Sequence, residues 1–565
     1  MNNSRFFSLL CLLLFFFTVV LARFFYWQVV KSGELSPAAQ KQHSVTSQYT
    51  AERGRVFAND GFPLVLNKKV FDLCAFLPEF RNSPDEVAKD LAHYLFEEDN
   101  LEEEIKSLKE KLSSGRKWLI LKKQVSIDVK EKLEELSIPG ISFTDDFIRD
   151  YPEASEAAHL LGFVANDEKS DKKGYFGIEG FYEKELSGAA GIMLGEKGVF
   201  GQPIFSIKRL KKEAEKGIDI FLYLDRAAQM IVEEELKKGL AKYGAKSGWA
   251  VVISPVTGGI LALATEPSFD PGSFFSSEQK IYTNPVISEG FEPGSIFKPL
   301  VMAAAIEKGV IKPETKCEIC AGPRQIGEYT IKTWNEKYFP ESTMKEVLVH
   351  SDNVGMVFVS ERLGKKNILE SLRLFGFGKL TGIDLQGEVT PEVRKDEYWY
   401  PIDLATVAFG QGLAITPIQM IRAFAALANG GKLITPKAAA KFCEEGEDEK
   451  CRQNLSEKSE KVLSEETTNK IKEMLIAAVD EGEAKWAKPA NLTVAGKTGT
   501  AQIPIGGYYD KEKTIASFIG FAPAEEAKVV MLVSLREPQS SPWGSETAAP
   551  LWFNIAKRLA YLWGI

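Results

Sequence analysis

Histidine is scarce, with four in 565 residues, and neither of the two best placed for chemistry has a partner in a recognisable motif. His350 abuts a Ser-Asp-Asn element and invites a Ser-His pairing, but its position sets no geometry with another serine, so a structural role is the better reading. His159, in Ala-Ala-His-Leu-Leu-Gly, reads as a packed residue. Cysteine is also sparse, at six. Cys317/Cys320 and Cys443/Cys451 are close in sequence, Cys11 lies in an apolar run and Cys74 stands alone. A lone C-x-x-C, with the second pair more than about a hundred residues away, is not a zinc-ribbon spacing. Local disulfides or free thiols are expected, and no metal or cofactor. No basic stripe stands out, and the net charge of −8 disfavours a nucleic-acid partner. No internal repeat or low-complexity tract is present, so repeat architectures have no support.

Long, strongly apolar runs are rare too, which makes Phe6–Ala22 conspicuous. It is bounded by Arg5 and Arg23. The aromatic continuation Phe24, Phe25, Tyr26 and Trp27 extends it past Arg23, which could snorkel, so a membrane-spanning helix with an interfacial belt is expected over 6–27. The competing reading is a cleaved signal peptide, because Val20, Leu21 and Ala22 imitate a cleavage site. The apolar run is longer than a typical signal core of roughly 7–15 residues, and no polar segment separates it from that site. A short cytoplasmic tail, residues 1–5, and an exported remainder follow from the anchored reading. Flanking charge is too sparse to fix orientation independently.

At 565 residues, two or more soluble domains are expected. Residues 28–216 carry charged helical runs, Asp85–Leu112 and Ser126–Leu136, and end in Ser206–Lys216, which reads as a linker or solvated edge. From 217 the pattern changes. Ile218–Leu224 alternates like a strand, Asp225 is positioned to cap a helix over Arg226–Tyr243, and Trp249–Ser254 and Ile260–Ala264 flank a turn. Ile515–Phe521 and Val529–Leu535 are further strand candidates, and an aromatic-rich helix closes the chain around Leu551–Trp563. Strands at both ends with helices between them predict an α+β domain over 217–565, an antiparallel sheet covered by helices.

S-x-x-K alone selects nothing, since the pattern also starts at Ser114, Ser170, Ser277 and Ser342. Only Ser295 follows Glu292-Pro293-Gly294 and precedes a largely apolar run, Ile296–Ile306, that reads as a buried helix. Ser295 then falls in the first turn, where free N–H groups favour negative charge, with Lys298 on the same side. A serine hydroxyl needs a base, and neutral Lys298 can serve. Its pKa must fall by about 3 units, worth roughly 4 kcal/mol, through burial or a second cation. Two further elements stand downstream: Ser351-Asp352-Asn353, and Lys497-Thr498-Gly499-Thr500 on a strand-like segment. Gly499 would let the backbone approach a ligand, Lys497 would offer charge to a carboxylate, and the threonines add hydroxyls. Ser-x-Asn alone is usually a cap and Lys-Thr-Gly alone a surface turn. Together, in this order, the three are the signature of penicillin-binding proteins and serine β-lactamases.

Beyond these motifs the chain resembles the class B penicillin-binding proteins over nearly its whole length, most closely the division-type, FtsI-like transpeptidases. Arg53-Gly54-Arg55 with Asn59-Asp60-Gly61 matches a front-half motif imperfectly, Ala58 and Asn59 replacing an acidic residue and an arginine. Arg149–Gly162 and Gly177–Gly191 look like pedestal motifs. FEPGSIFKP, FGFGKLTGIDLQGE, ATVAFGQGLAITPIQM, KTGTAQ and IASFIGFAPA are similar to family blocks, while Gly544-Ser545 stands where many relatives have paired glycines.

The resemblance implies an elongated mixed α/β pedestal of the dimerisation type (28–216) ahead of a transpeptidase domain (217–565). It implies that Ser295 attacks the penultimate D-alanyl carbonyl of a peptidoglycan stem peptide ending in D-Ala-D-Ala, with Lys298 as proton acceptor. Ser351 and Asn353 relay protons and hold the amide; Lys497, Thr498 and Thr500 bind the terminal carboxylate; N–H groups of Ser295 and Thr500 form the oxyanion hole. β-Lactam antibiotics should acylate the same serine. A multi-span glycan polymerase and division proteins are the implied partners, at the bacterial inner membrane. A lateral-wall transpeptidase, a D,D-carboxypeptidase or β-lactamase, and a non-synthetic β-lactam sensor or division scaffold are the alternatives.

Overall fold

The computed structural model describes residues 3–36, 44–96, 98–168, 171–197, 203–444, 450–455, 459–505 and 508–565. It divides into two compact units, and the division is not a single cut in the chain. One comprises 1–53, 69–148 and 188–217; the other comprises 54–68, 149–187 and 218–565. The linear boundary expected at 216/217 therefore describes chain order, whereas in space two front-half segments belong with the back half.

The smaller unit opens with a helix over Asn3–Phe25. Ser4–Val30 is long and apolar enough to cross a membrane, and none of its most apolar window is buried. Farther on, Phe71–Phe76 pairs antiparallel with residues of Trp118–Val125. Two helices, Pro84–Leu95 and Leu101–Leu112, replace the single run expected over 85–112. Ser83 and Glu86 cap the first reciprocally, and the chain turns extended at Phe96, which ends it. The helical run expected over Ser126–Leu136 is a third helix, Ile127–Glu135, capped by Ser126. Leu73, Leu91, Leu108 and Leu133 meet in one core between these elements. Ser44–Tyr49, Gly191–Lys197 and Pro203–Lys212 form a separate three-stranded antiparallel sheet. The segment expected over Ser206–Lys216 as a linker or solvated edge is thus largely an edge strand. A charge-rich edge strand lacks the apolar alternation by which strands are read.

The larger unit is built on a five-stranded antiparallel sheet in the order Ile260–Glu266, Ser247–Ile253, Val529–Arg536, Tyr508–Ala522, Ala495–Ile505. Its residues alternate between two cores. Ala250, Val252, Met531, Val533 and Phe518 face the helices Arg226–Tyr243 and Ala548–Trp563, where Trp552 is fully buried. Trp249, Val251, Val530, Leu532 and Ile519 face the other core, shared with Lys298–Glu307, Asn353–Leu374 and Pro417–Ala428. Covering both faces explains why Val529–Leu535 reads as an apolar run broken only by Ser534 and not as an alternating strand. The fold is α+β, as expected. Asp225 accepts from the Ala228 N–H at 3.0 Å and starts its helix where the sequence placed it.

Front-half motifs hold this unit together. Arg149 lies beside Glu179, with side chains 4% and 0% exposed, and donates from Nε to Glu179 at 2.7 Å and from Nη1 to Asn67 at 2.6 Å. Arg55 grips Asp219 through its backbone N–H (2.7 Å), Nε (3.1 Å) and Nη2 (2.5 Å). Tyr182 donates to Asp384 at 2.7 Å, and Asp384 accepts from the N–H groups of Ala438 and Ala439. Asp384 of the FGFGKLTGIDLQGE block is therefore a buried anchor for Tyr182 of the second pedestal motif. At the imperfect motif, Ala58 is fully buried in a tight turn, closed by Asp60 accepting from Phe62 N–H and by Gly61 at φ +85°.

Cys317 is bonded to Cys320 and Cys443 to Cys451, which settles the open choice between disulfides and thiols. Cys74 is a buried free thiol and Cys11 an exposed one.

Candidate active site

Gly294–Phe297 forms a 3₁₀ turn that runs directly into the buried α-helix Lys298–Glu307. In a 3₁₀ turn, positions three apart eclipse, so Ser295 and Lys298 are carried on one side by local geometry. Gly294 has φ +56° and is pinned by its N–H to Gly410 O at 2.9 Å. The Ser295 hydroxyl makes no hydrogen bond among the described residues, and Ser295 lines an open cleft.

Lys298 is fully buried. Its Nζ lies 2.6 Å from Ser351 O, 3.2 Å from Ser351 Oγ and 2.8 Å from Asn353 Oδ1. A neutral amine has two protons for three oxygens, so the Ser351 hydroxyl can turn and donate to the lysine lone pair. Burial, and then the nearby Lys497, hold the Lys298 pKa well below that of an ordinary lysine, with Asp352 and Glu483 opposing. Both causes the sequence asked for are present, and burial is the larger.

Ser351 sits at φ +54°, a costly conformation for a non-glycine residue. Asp352, between the two functional side chains, accepts from Val354 N–H at 2.7 Å and Gly355 N–H at 3.1 Å and so caps the helix Asn353–Leu374. Thr343 and Glu346 cap the helix before it, Met344–Val349. Two caps back to back fix the intervening turn and aim Ser351 and Asn353 at Lys298.

The strand Ala495–Ile505 forms the opposite wall. A Cβ on Gly499 would stand 2.8 Å from Ile296 Cγ2 and 3.3 Å from Pro293 O, so only glycine lets this strand lie against the serine turn. Lys497 is 3% exposed and donates to Thr498 O at 3.3 Å and Thr498 Oγ1 at 3.2 Å. Burial lowers its pKa to about 8, against the pull of Glu483. Thr500 Oγ1 accepts from Gly544 N–H at 3.0 Å. A Cβ on Gly544 would meet Gly499 O at 2.2 Å and Ser517 O at 2.7 Å, whereas Ser545 is accommodated as a buried serine. Only the first of the paired glycine positions needs glycine. Gly544→Ala is expected to slow acylation by a fluorescent penicillin at least about tenfold and to lower stability by about 1–3 kcal/mol, read from the labelling rate and a thermal melt.

The cleft of about 80 Å³ is lined by Ser295, Ser351, Asn353, Thr498, Gly499 and Thr500, which joins all three motifs in one place. Lys298 and Lys497 lie buried behind it. The cleft also gains Phe409 and Gln411, which fall in the ATVAFGQGLAITPIQM block without an assigned role, and Trp334, Glu483 and Trp543, which the sequence did not single out. The Trp334 and Trp543 ring centroids are 4.9 Å apart. Gln411 is presented by a loop whose Gly412 N–H donates to Glu292 at 3.1 Å, and Tyr509 donates to the same carboxylate at 3.0 Å. The Glu292 of the F-E-P-G-S block is thus a clasp between the serine turn, that loop and the strand after Lys497.

Neither histidine enters the cleft. His350 stacks on Phe339 with centroids 3.9 Å apart. His159 is buried between Ile281 O (2.8 Å from Nε2) and Thr265 Oγ1 (2.7 Å from Nδ1), and burial lowers its pKa to about 4. That environment suits a neutral ring donating from Nε2 and accepting at Nδ1. No group of metal-ligating side chains occurs among the described residues.

Comparison with known proteins finds two family domains in succession along the chain. The penicillin binding protein transpeptidase domain matches residues 248–559, and the penicillin-binding protein dimerisation domain matches 48–222. Stage V sporulation protein D of Bacillus subtilis is 32% identical over 95% of this chain and 82% of its own length. Peptidoglycan D,D-transpeptidase FtsI of Escherichia coli K12 is 27% identical over 97% and 90%. Penicillin binding protein 2X of Streptococcus thermophilus shares the fold, with a TM-score of 0.78 at 23% identity over 92% of this chain and 80% of its own. With a buried lysine behind a serine turn, and relatives that match over 95% or more of its length, this chain belongs to the penicillin-binding proteins that carry a dimerisation domain ahead of a transpeptidase domain.

Proposed function

We propose that the chain is a peptidoglycan D,D-transpeptidase that works through an acyl-enzyme on Ser295. The observation that carries this reading is the Lys298 amine, fully buried and held by Ser351 and Asn353 one 3₁₀ turn from the Ser295 hydroxyl. Neutral Lys298 takes the Ser295 proton as Oγ attacks the penultimate D-alanyl carbonyl. N–H groups of Ser295 and Thr500 stabilise the oxyanion. The proton returns, by way of Lys298 and Ser351, to the departing D-alanine nitrogen. Lys497, still protonated, holds the terminal carboxylate with Thr498 and Thr500, and Gly499 keeps that strand close. An amine from a neighbouring stem then releases the acyl group. A β-lactam presents the same carbonyl and carboxylate and stops at the ester.

Residues 6–27 anchor the chain in the bacterial inner membrane with the soluble part outside the cytoplasm, and 28–216 serve as a pedestal that contacts a multi-span glycan polymerase and division proteins. The similarity to an FtsI transpeptidase favours septal over lateral-wall synthesis. Mass spectrometry of products from a defined D-Ala-D-Ala stem peptide and an added amine tests the reaction. Cross-linked amide with loss of D-alanine is expected. Free acid alone would indicate a carboxypeptidase, and rapid penicillin turnover a β-lactamase.

A further inference from the structure

Glu483 has no place in the chemistry so far. It follows the helix Glu465–Asp480 in a turn fixed by Gly482, where a Cβ would stand 2.1 Å from Ala478 O. It lines the cleft with Ser295, Asn353, Trp334 and Trp543, as the one carboxylate among the described lining residues. The other carboxylates nearby are placed differently: Asp352 is buried outside the cleft lining, with Oδ1 capping a helix, and Glu292 accepts from Gly412 and Tyr509. Glu483 makes no hydrogen bond or ion pair among the described residues, although Lys298 and Lys497 both feel its charge.

An unpartnered anion is a poor neighbour for a substrate carboxylate and a good one for a cation. Of the two reactants, the acyl donor brings a carboxylate to Lys497 and the threonines. The acceptor brings an amine, which is an ammonium ion at neutral pH. We propose that Glu483 is a specificity-determining residue that receives the ammonium of the acyl acceptor beside the Ser295 ester; this rests on the transpeptidase reading. Trp334 and Trp543 line the same cleft, and indole rings favour a cation as well. In the second half-reaction the ammonium releases one proton to water and its nitrogen bonds to the ester carbon. The carbon–Oγ bond breaks, and the second proton passes through Lys298 to Oγ. Glu483 acts by concentrating the amine there against competing water.

The test is the partition of the acyl-enzyme between amide and hydrolysis product. A thioester of an uncharged N-acyl-D-alanine analogue loads Ser295 without a D-alanine carboxylate, and a ratio taken on the acyl-enzyme cancels any change in loading rate. Glu483→Gln is expected to lower the amide-to-acid ratio about tenfold with an ammonium acceptor, equivalent to about 1.4 kcal/mol. With hydroxylamine, uncharged at neutral pH, the ratio should stay within about twofold. Glu483→Asp, which keeps the charge, should retain more of the ammonium preference than Gln. An unchanged ratio with the ammonium acceptor, or an equal fall with both acceptors, overturns the assignment. Wild-type protein that forms the acyl-enzyme and aminolyses it, with a ratio that Glu483→Gln leaves unchanged, contradicts the role of Glu483 alone. Wild-type protein that forms no acyl-enzyme contradicts the transpeptidase reading and this assignment with it.

Discussion

Ser295→Ala is expected to abolish covalent labelling by a fluorescent penicillin and to reduce peptide transfer by about 10⁴-fold or more, because the ester forms on the Ser295 hydroxyl. The fold should not register the change. Ser295 is half-exposed at the cleft, and its hydroxyl makes no hydrogen bond among the described residues, so stability should stay within about 0.5 kcal/mol. Labelling measured by gel fluorescence beside a thermal melt separates the two effects. Undiminished labelling of a well-folded Ser295→Ala protein would remove Ser295 from the mechanism.

The second large effect is on pH dependence. Acylation needs Lys298 neutral, so the rate rises with pH as that depressed group loses its proton. It also needs Lys497 charged, so the rate falls as pH passes about 8. A bell with its alkaline limb near pH 8 is expected in kcat/KM, which reports the free enzyme. Lys497→Arg replaces the titrating ammonium with a guanidinium that keeps its charge, and should remove that limb even if the peak rate drops. An alkaline limb that persists at the same pH in Lys497→Arg would assign it to another group.

How much of this was legible in the sequence depended on whether a feature is local. The serine turn, the Asp225 cap, the strand Val529–Arg536 and the closing helix are written in consecutive residues, and each stands where its pattern placed it. Asp352 shows the limit of motif reading, since its carboxylate caps a helix while its neighbours face Lys298. Trp334, Gln411, Glu483 and Trp543 had no periodicity to mark them. They sit in turns and loops from four parts of the chain, and only the packing of the unit gathers them around one cleft. The glycine pattern carried a usable hint: Gly482 and Gly544 each exclude a Cβ by backbone contact, and each adjoins one of the missed residues. The two-unit division was hidden for a related reason. The chain crosses between units several times, and composition along a line cannot reveal which segments return.

The central claim is that Ser295 carries the acyl group while a neutral, buried Lys298 accepts its proton. It is tested most directly by quenching the enzyme during turnover of a thioester donor and locating the adduct by peptide mass mapping, in wild type and in Lys298→Met. Wild type should carry the acyl mass on Ser295, and Lys298→Met should be unmodified over the same interval. An adduct on any other residue, or a Lys298→Met protein acylated on Ser295 at the wild-type rate, would contradict it.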